Sequence, residues 1–181
     1  MNHYLWPLEF KKIYDAAVER YRAGTRDPGR LFLPIDQQFL DGIGATTQEM
    51  FDFVDDFCRF GEPPFETVLL ITSARRDYFL TVQKGKRSGK LIDMDKLPGK
   101  REAINGIEWL PRIIQKARAK LAGEMPSELM YCCGGDRAFL EASNIAPADF
   151  LRMVWAAKED DAKIVQYVEE HRAAAEQGQK L

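Results

Sequence analysis

The sequence predicts an all-α fold: a compact array of about eight helices, built from two related helical halves. Three observations carry this. Most of the chain divides into stretches whose apolar residues recur every three or four positions, the spacing of one helical face. Gly and Pro clusters punctuate those stretches. The second half also repeats the first at a shift of 100 residues. The 181 residues are 45% hydrophobic and 30% charged. Those values suit a globular protein and exclude wholesale disorder, collagen and coiled-coil rods.

Taken in order, residues 8–22 read as an amphipathic helix through Phe10, Ile13, Tyr14, Ala17, Val18 and Tyr21, ended at Ala23-Gly24. Asp27-Pro28-Gly29 marks a turn, and Leu31-Phe32-Leu33 before Pro34 reads as extended. Asp36 is expected to cap a short helix over 37–41. Thr46 and Glu49 form a capping box that opens a helix to Phe60. After Gly61-Glu62-Pro63-Pro64, residues 65–83 read as one long helix. Its β-branched residues make a strand through 67–72 the rival assignment. Residues 84–105 carry Gly85, Gly89, Pro98, Gly99 and many charges, and read as a basic loop or linker. A second helical half follows, over about 108–121, 136–142, 147–157 and 160–177. The expected organisation is therefore 1–83, a connection at 84–105, and 106–181, forming one compact unit.

The internal repeat is the most specific signal. At the shift of 100 residues, Ile13, Ala17 and Tyr21 fall on Ile113, Ala117 and Leu121. The string Asp36-Gln37-Gln38-Phe39-Leu40-Asp41 falls on Asp136-Arg137-Ala138-Phe139-Leu140-Glu141. Glu49-Met50-Phe51 falls on Asp149-Phe150-Leu151, and Val54 on Val154. The pattern predicts a pseudo-twofold pair of small helical units in which each Asp caps its short helix and the following Phe and Leu plug the core.

The stretch from Gly106-Ile107-Glu108-Trp109-Leu110-Pro111-Arg112 to Leu121-Ala122-Gly123 carries a family likeness. Tyr131, Asp136-Arg137-Ala138-Phe139-Leu140, Ile145 and the closing Asp160-Asp161-Ala162-Lys163-Ile164-Val165-Gln166-Tyr167-Val168 extend it. This pattern resembles the bacterial family "domain of unknown function 5069" over residues 106–171, and the first half looks like a diverged second copy. One departure is Gln115, where the family often carries an Asp. The resemblance implies a small helical cytoplasmic protein and brings no activity, cofactor or catalytic residue with it.

Function classes narrow accordingly. The longest apolar runs, 129–133 and 153–157, fall far short of the roughly 18 residues a membrane span needs. The first nine residues lack a basic segment followed by an apolar one, so no signal peptide is expected. Three cysteines, two of them adjacent, suit a reducing, cytoplasmic setting. With no C-x-x-C, H-E-x-x-H, Walker or dinucleotide motif, and only His3 and His171, neither a metal nor a cofactor is expected.

Two constellations stand out. In Cys132-Cys133-Gly134-Gly135-Asp136, a thiolate beside a helix start and two glycines could receive a ligand. The plainer reading is a buried cysteine and a turn before a cap. Residues 75–120 hold thirteen Lys and Arg against five acids, a local +8 in a chain of net charge −2. Arg75, Arg76, Lys84, Lys86, Arg87 and Lys90 are the anion-binding candidates, against the plainer reading of a solvated loop. The leading expectation is a non-enzymatic binding or regulatory protein whose partner is a protein or a small anionic ligand. Its contact surface would be the seam between the halves plus the basic connection. Nucleic-acid binding through the basic segment is the alternative, and an enzyme using a loop cysteine comes third.

Overall fold

The computed structural model describes residues 2–178. The chain forms two compact units, Met1–Ser88 and Gly89–Leu181. The boundary falls inside the stretch read as a connection, and residues 89–105 are part of the second unit. The Ile92 amide donates to the Glu124 carbonyl at 2.9 Å, and Arg112 donates to the Pro98 carbonyl at 2.7 Å. Among the described residues the fold is all-α, with nine helices and one small hairpin. None of these helices is long and apolar enough to cross a membrane.

The first unit comprises α1 (Trp6–Arg22), α2 (Pro28–Leu31), α3 (Pro34–Gly42), α4 (Thr47–Phe60) and α5 (Phe65–Thr81). α1 turns Phe10, Tyr14, Ala17, Val18 and Tyr21 inward and packs on α4, α2 and α5. Aromatic rings join the helices, with Tyr14 and Phe65 centroids 5.2 Å apart and Tyr21 and Phe51 6.1 Å apart. Each such buried side chain contributes roughly 1.5–3 kcal/mol, so this cluster outweighs helix propensity. The capping box of α4 forms as expected: Thr46 Oγ1 accepts from Glu49 N at 3.1 Å and Glu49 Oε2 accepts from Thr46 N at 3.0 Å. α5 is helical throughout, because Val68, Ile71 and Thr72 are buried in the unit's core. That burial overrides their strand preference.

The second unit has a 3-10 turn at Met94–Lys96, strands β1 (Ala103–Ile104) and β2 (Ile107–Glu108), then α6 (Leu110–Ala122), α7 (Gly134–Ala142), α8 (Pro147–Ala157) and α9 (Asp161–Gly178). Its core joins Leu110, Ile113 and Ala117 of α6 to Phe150, Leu151 and Val154 of α8 and Ile164 and Val168 of α9. α6 packs on α8, and α8 on α9.

The structure corrects three local expectations. Glu108 lies on a strand, not a helix. Asn105 and Gly106 both take positive φ and close a two-residue hairpin between β1 and β2. α3 and α7 begin at Pro34 and Gly134, so Asp36 and Asp136 sit in the first turn rather than at the caps. Their carboxylates reach back instead, accepting from Leu33 N and Cys132 N, each at 2.9 Å. Proline's fixed φ suits the first helical turn, which explains the early start of α3. Finally, the turn after Asp27 is a short helix, α2, with the Asp27 side chain accepting from Gly29 N at 2.8 Å.

Candidate functional site

The Cys132–Asp136 string folds into a closed polar knot. Asp136 is wholly buried and Lys116 is 1% exposed. Asp136 Oδ2 accepts from Lys116 Nζ at 2.5 Å as well as from Cys132 N, while Oδ1 accepts from Trp109 Nε1 at 3.0 Å. Lys116 Nζ also lies 3.3 Å from Cys133 Sγ. Local geometry makes this possible. Trp109 and Cys132 both take positive φ. Gly135 is required because a Cβ there would stand 2.6 Å from the Trp109 ring. A Cβ on Gly134 would meet only an Arg137 nitrogen at 3.8 Å, so that glycine is not required for space.

The cysteines divide. Cys132 is fully buried, and burial, the main cause, pushes its thiol up to about 12. A thiol held in that state is a poor nucleophile, since the thiolate is the reacting form. Cys133 is half-buried beside the Lys116 ammonium. Tyr131 is fully buried, its phenol pushed well up by desolvation, and it donates to the Pro147 carbonyl at 2.8 Å. The knot ties α6 to α7, with its carboxylate and ammonium sealed from solvent.

The six basic candidates do not form one surface. Arg75 lies inside the first unit at 1% exposure, donating to Gln83 Oε1 at 2.7 Å, with burial lowering its pKa. Arg76 stacks 5.0 Å from the Trp6 ring and bonds His3 Nδ1 at 2.7 Å. Arg87 is tied to Asp41 Oδ1 at 2.7 Å and to the Ala45 carbonyl at 2.6 Å. Lys84, Lys86 and Lys90 are exposed.

The structure also presents a feature that sequence reasoning missed. α1 and α3 border an open groove of about 620 Å³. Glu9, Lys12 and Ile13 line it from α1, and Ile35, Phe39 and Gly42 from α3. Ile35 is 67% exposed, and the nearby Leu8 of α1 is 62% exposed. The volume falls within the range of ligand-binding clefts. No spacing within α1 or α3 signals it, and the exposed Leu8 is not among the residues that line it.

The family described as Domain of unknown function (DUF5069) matches residues 95–181. Within the second unit, residues 95–181 are similar to that family. The match begins close to the structural boundary and contains the whole Trp109–Lys116–Asp136 knot, so the knot is internal to the matched residues. The groove lies outside the matched residues. No curated protein and no solved structure matches the chain.

Proposed function

We propose that this is a non-enzymatic binding protein whose contact surface is the α1/α3 groove of the first unit, which receives an amphipathic helix. One comparison carries the reading. At the shift of 100 residues, Glu9 and Ile35 correspond to Trp109 and Gly135. In the second unit the indole of Trp109 lies directly against Gly135 and fills that position. Ile113 and Phe139 beside it are buried. In the first unit Glu9 supplies no ring for the place, and Ile13 and Phe39 line an open groove instead. An apolar side chain carried on a helix fits there, with Glu9 and Lys12 offering both signs of charge at the rim.

This reading treats the first unit as a diverged copy of the second. Supporting it, α3 and α7 both run from position 34 to 42 of their hundred, and α4 and α8 both start at 47. Ala17 and Ala117, Leu40 and Leu140, Met50 and Phe150, and Val54 and Val154 are all buried. Gly44 and Asn144 share positive φ. A cytoplasmic setting goes with the reading, since all three cysteines are free thiols.

The test is selection of helical peptides on the immobilised full chain, followed by anisotropy titration. Ile35→Asp puts a charge in the groove and Ile35→Trp fills it with a ring. Each should weaken binding by about tenfold or more, with unchanged helical circular dichroism. Selected peptides that bind both variants as tightly as the parent overturn the reading.

A second reading, polyanion binding, is favoured by one observation. Lys84, Lys86 and Lys90 stand exposed within seven residues and, among the described residues, have no ion-pair partner.

A further inference from the structure

We propose that the helix received by the groove is α1 of a second copy of this chain, laid antiparallel across a two-fold axis near Phe10 and Lys11. The inference rests on the groove reading above and names its partner.

α1 has two faces. Trp6, Phe10, Tyr14, Ala17, Val18 and Tyr21 are buried in the first unit. Leu5, Leu8, Glu9, Lys12 and Ala16 recur at three- and four-residue spacing on the side turned from that core. Leu5 is 39% exposed and Leu8 62%. Two exposed leucines, Leu5 at the N-cap and Leu8 in the first turn of α1, followed by Glu9 and Lys12 at the rim of an open groove, make a mixed apolar and charged face with no partner in the unit's core.

This face is complementary to itself. In an isologous contact between antiparallel helices, residue i meets residue j and residue j meets residue i. With the axis between positions 10 and 11, the facing positions sum to 21. Leu5 then faces Ala16 of the second copy, a large residue against a small one. Leu8 faces Ile13, bringing the exposed leucine onto the groove wall beside Ile35. Glu9 faces Lys12, and Lys12 faces Glu9. Every facing pair is matched in size or in charge. A parallel arrangement would instead set Glu9 against Glu9 and Lys12 against Lys12, which repels.

The charges are also free to pair. Nearby ionic groups are engaged within the chain: Lys11 with Asp15 at 2.5 Å, and Asp36 with Arg20 at 3.2 Å. Among the described residues, Glu9 and Lys12 make no ion pair, although both line the groove. Two such pairs around one axis give register and orientation, while Leu8 beside Ile35 and Ile13 removes apolar surface from water.

The experiment is sedimentation equilibrium of the full chain over a range of concentrations. The parent should show a reversible monomer–dimer equilibrium. Glu9→Lys surrounds the axis with four positive charges, and Lys12→Glu with four negative ones, so each should weaken self-association by about tenfold or more. Mixing these two variants should restore it as a heterodimer, because the paired lysines of one variant then face the paired glutamates of the other. Leu8→Asp should abolish the dimer. All these side chains are part- or fully exposed, and thermal midpoints close to the parent's would show that the fold is kept. A parent that stays monomeric overturns the proposal, as does a dimer indifferent to the charge variants or a mixture that fails to recover. The groove reading fails separately. If the chain is monomeric while Ile35→Asp still removes peptide binding, the groove serves a different protein and only the second-copy proposal falls.

Discussion

Each unit has an aspartate in the first turn of a nine-residue helix, Asp36 in α3 and Asp136 in α7, and the two are treated differently. Asp36 accepts from Leu33 N and pairs with Arg20 at 3.2 Å, and the two side chains are 13% and 30% exposed. Asp136 accepts from Cys132 N, pairs with Lys116 at 2.5 Å and takes the Trp109 N–H, with the Asp136 and Lys116 side chains 0% and 2% exposed. One local device, an acid in the first turn reaching back to the backbone, thus exists at two depths. At the shallow depth, water can replace any lost partner. At the deep one, removing a partner strands a charge in a medium that cannot solvate it. In the second unit the Trp109 ring packs against Gly135, whereas the first unit has an open groove bordered by α1 and α3.

The largest expected effect follows from that depth. Lys116→Ala or Asp136→Ala should each cost about 3–5 kcal/mol in chemical denaturation, because each leaves the other charge buried and alone. Arg20→Ala should cost under about 1 kcal/mol, as partly solvated pairs do. Replacing both, with Lys116→Met and Asp136→Asn, should cost less than the sum of the single changes, since no lone charge remains. Equal losses at Arg20 and Lys116 would erase the contrast between the units.

The next effect is steric. Gly135→Ala places a methyl 2.6 Å from the Trp109 ring and should destabilise by about 1–3 kcal/mol. Gly134→Ala, with only an arginine tip 3.8 Å away, should change stability by under about 1 kcal/mol. Trp109→Ala should reduce the penalty of Gly135→Ala when the two are combined, and a double-mutant cycle reads that coupling directly.

These predictions separate what local sequence spells from what it does not. Helix periodicity and the Thr46–Glu49 box are short-range signals, and the atoms fall where the spacing puts them. The Asn105-Gly106 pair is also a short-range signal, masked by the apolar, helix-like run that follows it. The Lys116–Asp136 bond is not legible in this way. It joins residues twenty positions apart, and by composition Lys116 counts among solvated basic residues. Arg75 misleads similarly, because its charge reads as surface while its side chain lies in the core. The groove depends on how α1 and α3 lean on each other, which no spacing within either helix encodes.

Thiol chemistry sharpens the comparison inside the knot. Under native conditions alkylation should reach Cys133 well before Cys132, whose modification should track global unfolding. Peptide mapping after timed labelling reads both rates. The pH dependence has a definite sign. Burial favours the neutral Cys132 thiol in the folded chain, holding it near 12 against an ordinary value of 9.0. The unfolded chain therefore ionises first. This thiol's contribution to stability is complete below pH 9 and is lost as pH rises towards 12. Cys132→Ala should flatten part of that decline, and the buried Tyr131 phenol should account for more of it. Rapid native labelling of Cys132 would show that the knot opens readily.

The smallest effect on stability is expected at the exposed lysines. Lys84, Lys86 and Lys90 hold no ion-pair partner among the described residues, so converting all three to Gln should leave the thermal midpoint nearly unchanged. Adding Arg87→Gln should lower it measurably, because Arg87 anchors to Asp41 and to the Ala45 carbonyl at the end of α3. That difference divides the basic residues of the stretch 84–90 into one structural arginine and three available charges. If those charges serve polyanion binding, affinity for a generic nucleic acid should fall steeply with salt. The slope should shrink by roughly one for each lysine removed. A triple-Gln variant with unchanged affinity and slope, or a parent that binds no nucleic acid at low salt, leaves the three lysines as solvating charges.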